Sequence, residues 1–161
     1  GLVNWLLGLV GIEGPGWIFD PNWAMPSIIL ASVWKDLGFV MMILLAGLQG
    51  IAPDYYEAAS LDGAAGFRML RSITIPLLSP TIFFVVVISL VNSFQVFDQV
   101  YVMTAGGPAG STQVLVGEIV NNAFRYSRFG YASAMSWVLF ALIFIVTLVQ
   151  LWLQKRMVHY Q

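Results

Sequence analysis

Few residues in this chain could carry out covalent chemistry. Cysteine is absent and histidine occurs once, as His159 in a polar tail. That excludes disulfides, thiolate ligands and a cysteine nucleophile, and offers no basis for a structural zinc site. No serine or carboxylate can be argued to pair with His159, so no catalytic residue, metal ligand or cofactor is assigned. The segment TAGGPAGST at 104–112 has the glycines of a phosphate-binding loop. However, Ala105 stands where the first glycine belongs, and the lysine that reaches the phosphates is missing. By this route the chain binds no nucleotide, and any energy source has to be a partner.

What remains is chemistry of binding. Ser89, Asn92, Ser93, Gln95 and Gln99 lie in or just beyond an apolar stretch, and Ser89, Ser93 and Val96 share one stripe at helical spacing. Trp34, Leu37, Gly38 and Met41 form a comparable stripe earlier, with an aromatic face for ring stacking and a glycine for close approach. Neutral hydrogen-bonding side chains suit a solute rich in hydroxyls and free of charge. The plainer reading of both stripes is helix–helix packing by small and polar residues. Lys35 and Asp36 are costly inside a span and should face protein or water. They either line a polar path, or Lys35 snorkels outward while Asp36 pairs with a neighbouring span.

Composition dictates the elements that position these groups. Hydrophobic residues make up 59% and charged residues 9% of the chain, with a net charge of −1 and a mean hydropathy of +0.83. Soluble domains carry roughly 25% charged residues, so there is too little polar surface here to cover a water-soluble globule. The near-neutral charge implies no nucleic-acid partner. Three stretches, roughly 25–48, 73–97 and 131–153, are long and apolar enough to cross a bilayer as helices, which takes about 20 residues. The expected fold is therefore all-α, polytopic and membrane-embedded. Residues 1–23 resemble a compact interfacial loop, 104–112 a turn-rich elbow, and QVLVGEIVNNAFRYSRFG at 113–130 a short interfacial helix. The chain starts at Gly1 rather than Met, which is the expectation for a piece of a longer protein.

The loop at 49–72, QGIAPDYYEAASLDGAAGFRMLRS, is polar enough to leave the bilayer and helical enough to stay ordered. Pro53 suits a first helical turn, and Asp54 and Glu57 place negative charge near a helix N-terminus. Ala58 and Ala59 are small enough for another surface to approach closely. Asp62-Gly63 signals a turn, and a second short helix over 64–72 should present Phe67, Met69 and Leu70 beside Arg68 and Arg71. Two short helices joined by a bend between two spans make a piece shaped to dock.

Glu57-Ala58-Ala59, three residues, Gly63, nine residues, then Ile73-Thr74-Ile75-Pro76 resembles the EAA–G–I-x-L-P loop of binding-protein-dependent ABC importer permeases. Ile75 replaces the leucine that the pattern favours. WKDLGF at 34–39, LAGLQGI at 45–51, YEAASLDGA at 56–64 and YVMTAGGP at 101–108 resemble the carbohydrate-uptake branch, and within it the larger permease of the maltose importer. The resemblance extends over nearly the whole chain. It implies the C-terminal part of a transmembrane domain with coupling loop 52–72, in a prokaryotic cytoplasmic (inner) membrane. In that role Glu57, Ala58, Ala59, Asp62, Gly63 and Arg68 would contact a cytoplasmic ABC ATPase. Trp34, Gly38, Met41, Ser89, Asn92, Ser93 and Val96 would line the path of a sugar or similar small polar solute. A second permease subunit and an extracytoplasmic solute-binding protein would complete the assembly, with ATP hydrolysis in the separate subunit rather than here. The rival expectations are an ion-coupled secondary transporter using Lys35, Asp36 or Asp98, and a non-transporting scaffold that recruits a cytoplasmic protein.

Three spans put the 49–72 loop and the tail on one side. That side carries Arg68, Arg71, Lys155 and Arg156, against Arg125 and Arg128 opposite, so the positive-inside rule makes it cytoplasmic. Single cysteines can be placed on a cysteine-free background to check this. Ser60→Cys and Gln161→Cys should be labelled only from the cytoplasmic side and Gly110→Cys only from outside. Labelling of positions 60 and 110 from the same side would overturn the topology.

Overall fold

A computed structural model describes residues 1–157, with side chains through Gln154. His159, Tyr160 and Gln161 lie outside the described residues, as do the side chains of Lys155 and Arg156. In chain order the helices are α1 (Leu2–Leu9), α2 (Pro21–Gln49), α3 (Pro53–Leu61), α4 (Gly66–Met69), α5 (Ile75–Phe94), α6 (Asp98–Met103), α7 (Leu115–Val120) and α8 (Phe129–Met157). No strand occurs among the described residues. Three helical stretches can cross a membrane: Pro21–Gln49, Gly66–Phe94 and Phe129–Gln154. Their apolar windows are only 6–11% buried within the chain, so most of that surface is left for lipid or for other protein.

The chain divides into two compact units. The first combines Gly1–Lys35 with Gln95–Phe140. Its N-terminal loop is more ordered than expected, because α1 occupies Leu2–Leu9 and is tied to the following turn by Asn4. The Asn4 amide donates to the carbonyls of Gly14 (3.3 Å) and Pro15 (3.1 Å), and its oxygen accepts from Trp17 Nε1. Trp17 then meets Trp23 edge-on at 6.0 Å. Asp20 caps the start of α2, accepting from the Asn22 N–H at 2.8 Å, and Pro21 follows it as the first helical residue. The elbow is closed from within. Thr112 is fully buried, with its Oγ1 2.8 Å from the Gly107 carbonyl and 2.7 Å from Thr104 Oγ1, which also reaches the Val100 carbonyl. The expected short helix near 113–130 is α7 followed by a π-helical turn over Asn121–Arg125, with buried Asn122 donating to the Glu118 carbonyl at 2.8 Å.

The second unit combines Asp36–Phe94 with Ala141–Gln161, and here two expectations change. The second short helix is not a separate element: α4, a π-helical turn over Leu70–Thr74 and α5 run without a break from Gly66 to Phe94. Arg68, Arg71 and Ser72 end the apolar window but not the helix, since their side chains are exposed and helix formation does not require them to be apolar. The π turn lies immediately before Pro76, which has no N–H for the normal i→i−4 bond, so a widened turn lets the helix pass the proline. The same span stops at Phe94 rather than 97, and a short helix, α6, opens at Asp98 in place of a longer span.

Close packing within this unit centres on Gly47. A methyl group at that position would lie 2.7 Å from Thr81 Oγ1 and 2.8 Å from both Thr81 Cγ2 and Leu78 Cδ1. Thr81 is β-branched and stiff at χ1, so α2 and α5 can approach this closely only without a side chain at 47. Gly47→Ala should destabilise the detergent-solubilised protein by about 1–3 kcal/mol through overpacking. Adding Thr81→Ala should recover part of that loss, seen as non-additive shifts in melting temperature. Strictly additive effects would exclude this contact as the cause.

Candidate functional site

The loop between the first two spans is built around one left-handed residue. Gly63 has φ +77°, its N–H bonds to the Ser60 carbonyl (3.0 Å), and the Ala64 N–H reaches back to the Ala59 carbonyl (2.9 Å). This pair of bonds is the Schellman closure of a helix C-terminus. The closure ends α3 and turns the chain into the continuous helix that begins at Gly66. A Cβ at position 63 would meet nothing within 4 Å, so the requirement for glycine here is conformational, and the space around it is open. On α3, Glu57, Ala58 and Asp62 are exposed, and Arg68 is exposed at the start of the next helix. Ala59 is buried, at 5% exposure, unlike its neighbours Glu57 and Ala58. Phe67 is 74% exposed, in line with the expectation that the second helix presents it, whereas Leu61, 89% exposed, escaped the sequence reading of this surface. A large apolar residue at the solvent end of a short polar helix is the signal that could have identified it.

The polar residues of the spans are distributed differently from the expected stripes. Within the second unit a groove runs between α2 and α5, lined by Asp36, Phe39, Val40 and Ile43 on one side and Val85, Ile88, Ser89 and Asn92 on the other. Each set follows the i, i+3, i+4, i+7 pattern of one helix face. Ser89 and Asn92 therefore lie together. Ser93 instead donates its hydroxyl to the Leu90 carbonyl at 2.8 Å. Val96 falls outside α5, so the helical register that joined it to Ser89 and Ser93 does not extend that far. Gly38 and Met41 lie off the groove-lining face of α2, with Met41 59% exposed, and Trp34 is 82% exposed. The groove has room for about 60 Å³, a few water molecules.

In the first unit Lys35 has a partner that sequence spacing does not reveal. Its Nζ lies 2.9 Å from Asp98 Oδ2, across 63 positions of sequence. Gln99 completes the cluster when its amide is oriented to suit its neighbours, its oxygen accepting from Lys35 Nζ at 2.6 Å and its nitrogen donating to Asp98. The hydrogen bond from Lys35 holds the Asp98 carboxyl below the usual carboxylate range. Lys35 thus neither snorkels alone nor stands as an isolated charge.

Residues 2–159 match the family described as the binding-protein-dependent transport system inner membrane component. The chain belongs to that family. It is 39% identical over 151 residues to the trehalose/maltose transport system permease protein of Thermococcus litoralis, covering 94% of this chain and 51% of that one. It is 42% identical over 151 residues to the sulfoquinovosyl glycerol transport system permease protein of Agrobacterium fabrum, covering 94% and 49%. The fold matches crystal structures of a bacterial alginate ABC transporter at 27% identity, over 97% of this chain and 55% of that one. The TM-score is 0.86 for the transporter in complex with alginate pentasaccharide-bound periplasmic protein, and 0.85 for one involved in import of the acidic polysaccharide alginate. The chain spans about half the length of the curated relatives it matches. This inner membrane component is all-α and multi-pass.

The Lys35–Asp98 pair is open to direct measurement. Asp98→Asn should loosen α6 by about 0.2–1 kcal/mol, the range of exposed ion pairs, read as faster amide exchange over 95–103. Because the folded carboxyl titrates below its unfolded value, the contribution is complete at neutral pH and fades as pH falls through the depressed folded value. Exchange that is unchanged in Asp98→Asn, or protection of α6 that increases on acidification, would contradict the pairing.

Proposed function

We propose that this chain is a permease part of an ATP-binding-cassette importer that moves a sugar or similar small polar solute across the inner membrane. The observation that carries the reading is the loop after the first span. It combines the EAA motif, an exposed α3 face held by the Gly63 turn, and a helix continuous from Gly66 into the second span. A cytoplasmic ATPase docked on Glu57, Ala58, Asp62, Gly63 and Arg68, with Leu61 and Phe67 as apolar anchors, would push on a rigid element. The helix is continuous from Gly66 through the π turn over Leu70–Thr74 into the span, so a displacement at Arg68 is passed along it to α5. A pair of permeases then switches the path between outward and inward access. Solute arrives from an extracytoplasmic binding protein, and the chain itself hydrolyses nothing.

The names of the relatives support a carbohydrate or a carbohydrate-like solute. Groove residues Ser89 and Asn92 supply neutral donors and acceptors for hydroxyls. Trp34, Gly38, Met41, Ser93 and Val96 are proposed for the path on the motif resemblance, and none of them lines this groove. Loop 49–72 is placed in the cytoplasm on the arginine balance.

Gly63→Leu forces a side chain into a left-handed conformation, at a cost on the order of 1 kcal/mol or more, and fills the open space a partner would occupy. Glu57→Lys reverses the charge on the docking face. Both variants should insert normally yet lose ATP-dependent uptake and co-purifying ATPase. The readout is uptake that persists with a protonophore and ATPase recovered by affinity purification, each normalised to membrane expression. Wild-type values in both variants would refute the coupling role.

A further inference from the structure

We infer that Asp36, acting with Ser89 and Asn92, makes this path selective for uncharged polyhydroxylated solutes and unfavourable to anionic ones. The inference rests on the permease reading above and narrows its substrate class. Three side chains give the α2–α5 groove its polarity: one carboxylate, one hydroxyl and one amide. All three are exposed, so a solute can reach them. The remaining lining residues, Phe39, Val40, Ile43, Val85 and Ile88, are apolar, and no lysine, arginine or histidine among the described residues lines the groove.

A carboxylate accepts hydrogen bonds and donates none. It can take two hydroxyl protons from neighbouring carbons of a sugar, while Asn92 and Ser89 both donate and accept. The apolar residues between them match the C–H faces of a sugar ring. A phosphate, sulfonate or carboxylate on the solute would instead set like charge against Asp36, a repulsion that persists even with water-like screening. The neighbouring cation in sequence, Lys35, does not reverse this balance. It holds Asp98 at 2.9 Å, and Gln99 occupies a further one of its protons, so it adds no uncompensated positive charge. The relatives do not decide the matter, since they are named for both neutral and acidic carbohydrates.

The test uses the complete importer reconstituted in proteoliposomes with one unchanged binding protein, so that differences between variants report on the permease. The probes are matched pairs: glucose and glucuronate, maltose and maltobionate, glycerol and glycerol 3-phosphate. Wild type should import neutral members in preference to anionic ones. Asp36→Asn, which keeps shape and removes charge, should raise the anionic-to-neutral uptake ratio by at least about fivefold. That is the factor one like-charge contact of roughly 4 Å carries even with water-like screening. Asp36→Lys should raise it further. The ratio is taken within each variant, so a lower expression level cancels. ATP-dependent uptake that favours the anionic members in wild type, or a ratio unchanged in both variants, overturns the selectivity and leaves the permease reading standing. Absence of both ATP-dependent uptake and a co-purifying ATPase in wild type overturns the two together.

Discussion

Inside hydrocarbon no water is available to satisfy a backbone N–H or C=O, so each segment that crosses the bilayer must pair these groups within itself. The spans here meet that constraint as helices, even at residues that disrupt helices elsewhere. Pro76 and Pro80 remove donors from the second span, yet the helix continues to Phe94, aided by a π turn just before Pro76. Where the chain leaves helical geometry, side chains complete the pairing. Thr104 and Thr112 close the elbow, Asn4 ties the N-terminal turn, and Asn122 supports the bend before α8. Buried or half-buried hydroxyls and amides thus stand close to backbone that changes direction.

The same constraint shapes function. A span that must stay helical extends here as one rod past its apolar stretch to Gly66, through the π turn over Leu70–Thr74. The Gly63 turn fixes how α3 enters that rod, and its left-handed backbone is accessible at low cost only to glycine. The four residues 62–65 thus join α3 to the helix that carries the span. At the other end of the span the helix breaks at Gln95, and Asp98 opens α6 as its first residue and pairs with Lys35. One helix consequently connects a candidate docking surface to a polar groove.

Polarity along the spans is placed sparingly. Asp36, Ser89 and Asn92 share a groove, whereas Ser93 satisfies its own helix through Leu90. An unpartnered charge in such surroundings is expensive, and Lys35 shows how that expense is avoided: a carboxylate and an amide from a distant stretch surround the ammonium group.

The class, the number of spans and the family resemblance were legible in the sequence because each depends on local quantities. Runs of apolar residues, a proline before Asp54 and a glycine after Asp62 act within a turn or two of chain, and the EAA spacing is linear text. The identities of neighbours were not legible. Lys35 meets Asp98 across 63 residues, and nothing in either residue's surroundings along the chain names the other. The groove face of α2 proved to be 36, 39, 40 and 43 rather than 34, 38 and 41, since a helix that is apolar all round carries no stripe to say which side faces protein. Ala59 has the size of a contact residue, yet it is buried within the fold, while Leu61 on the same helix is left outside. Periodicity places a residue on a helix face; only the packing of one helix against another decides what that face meets.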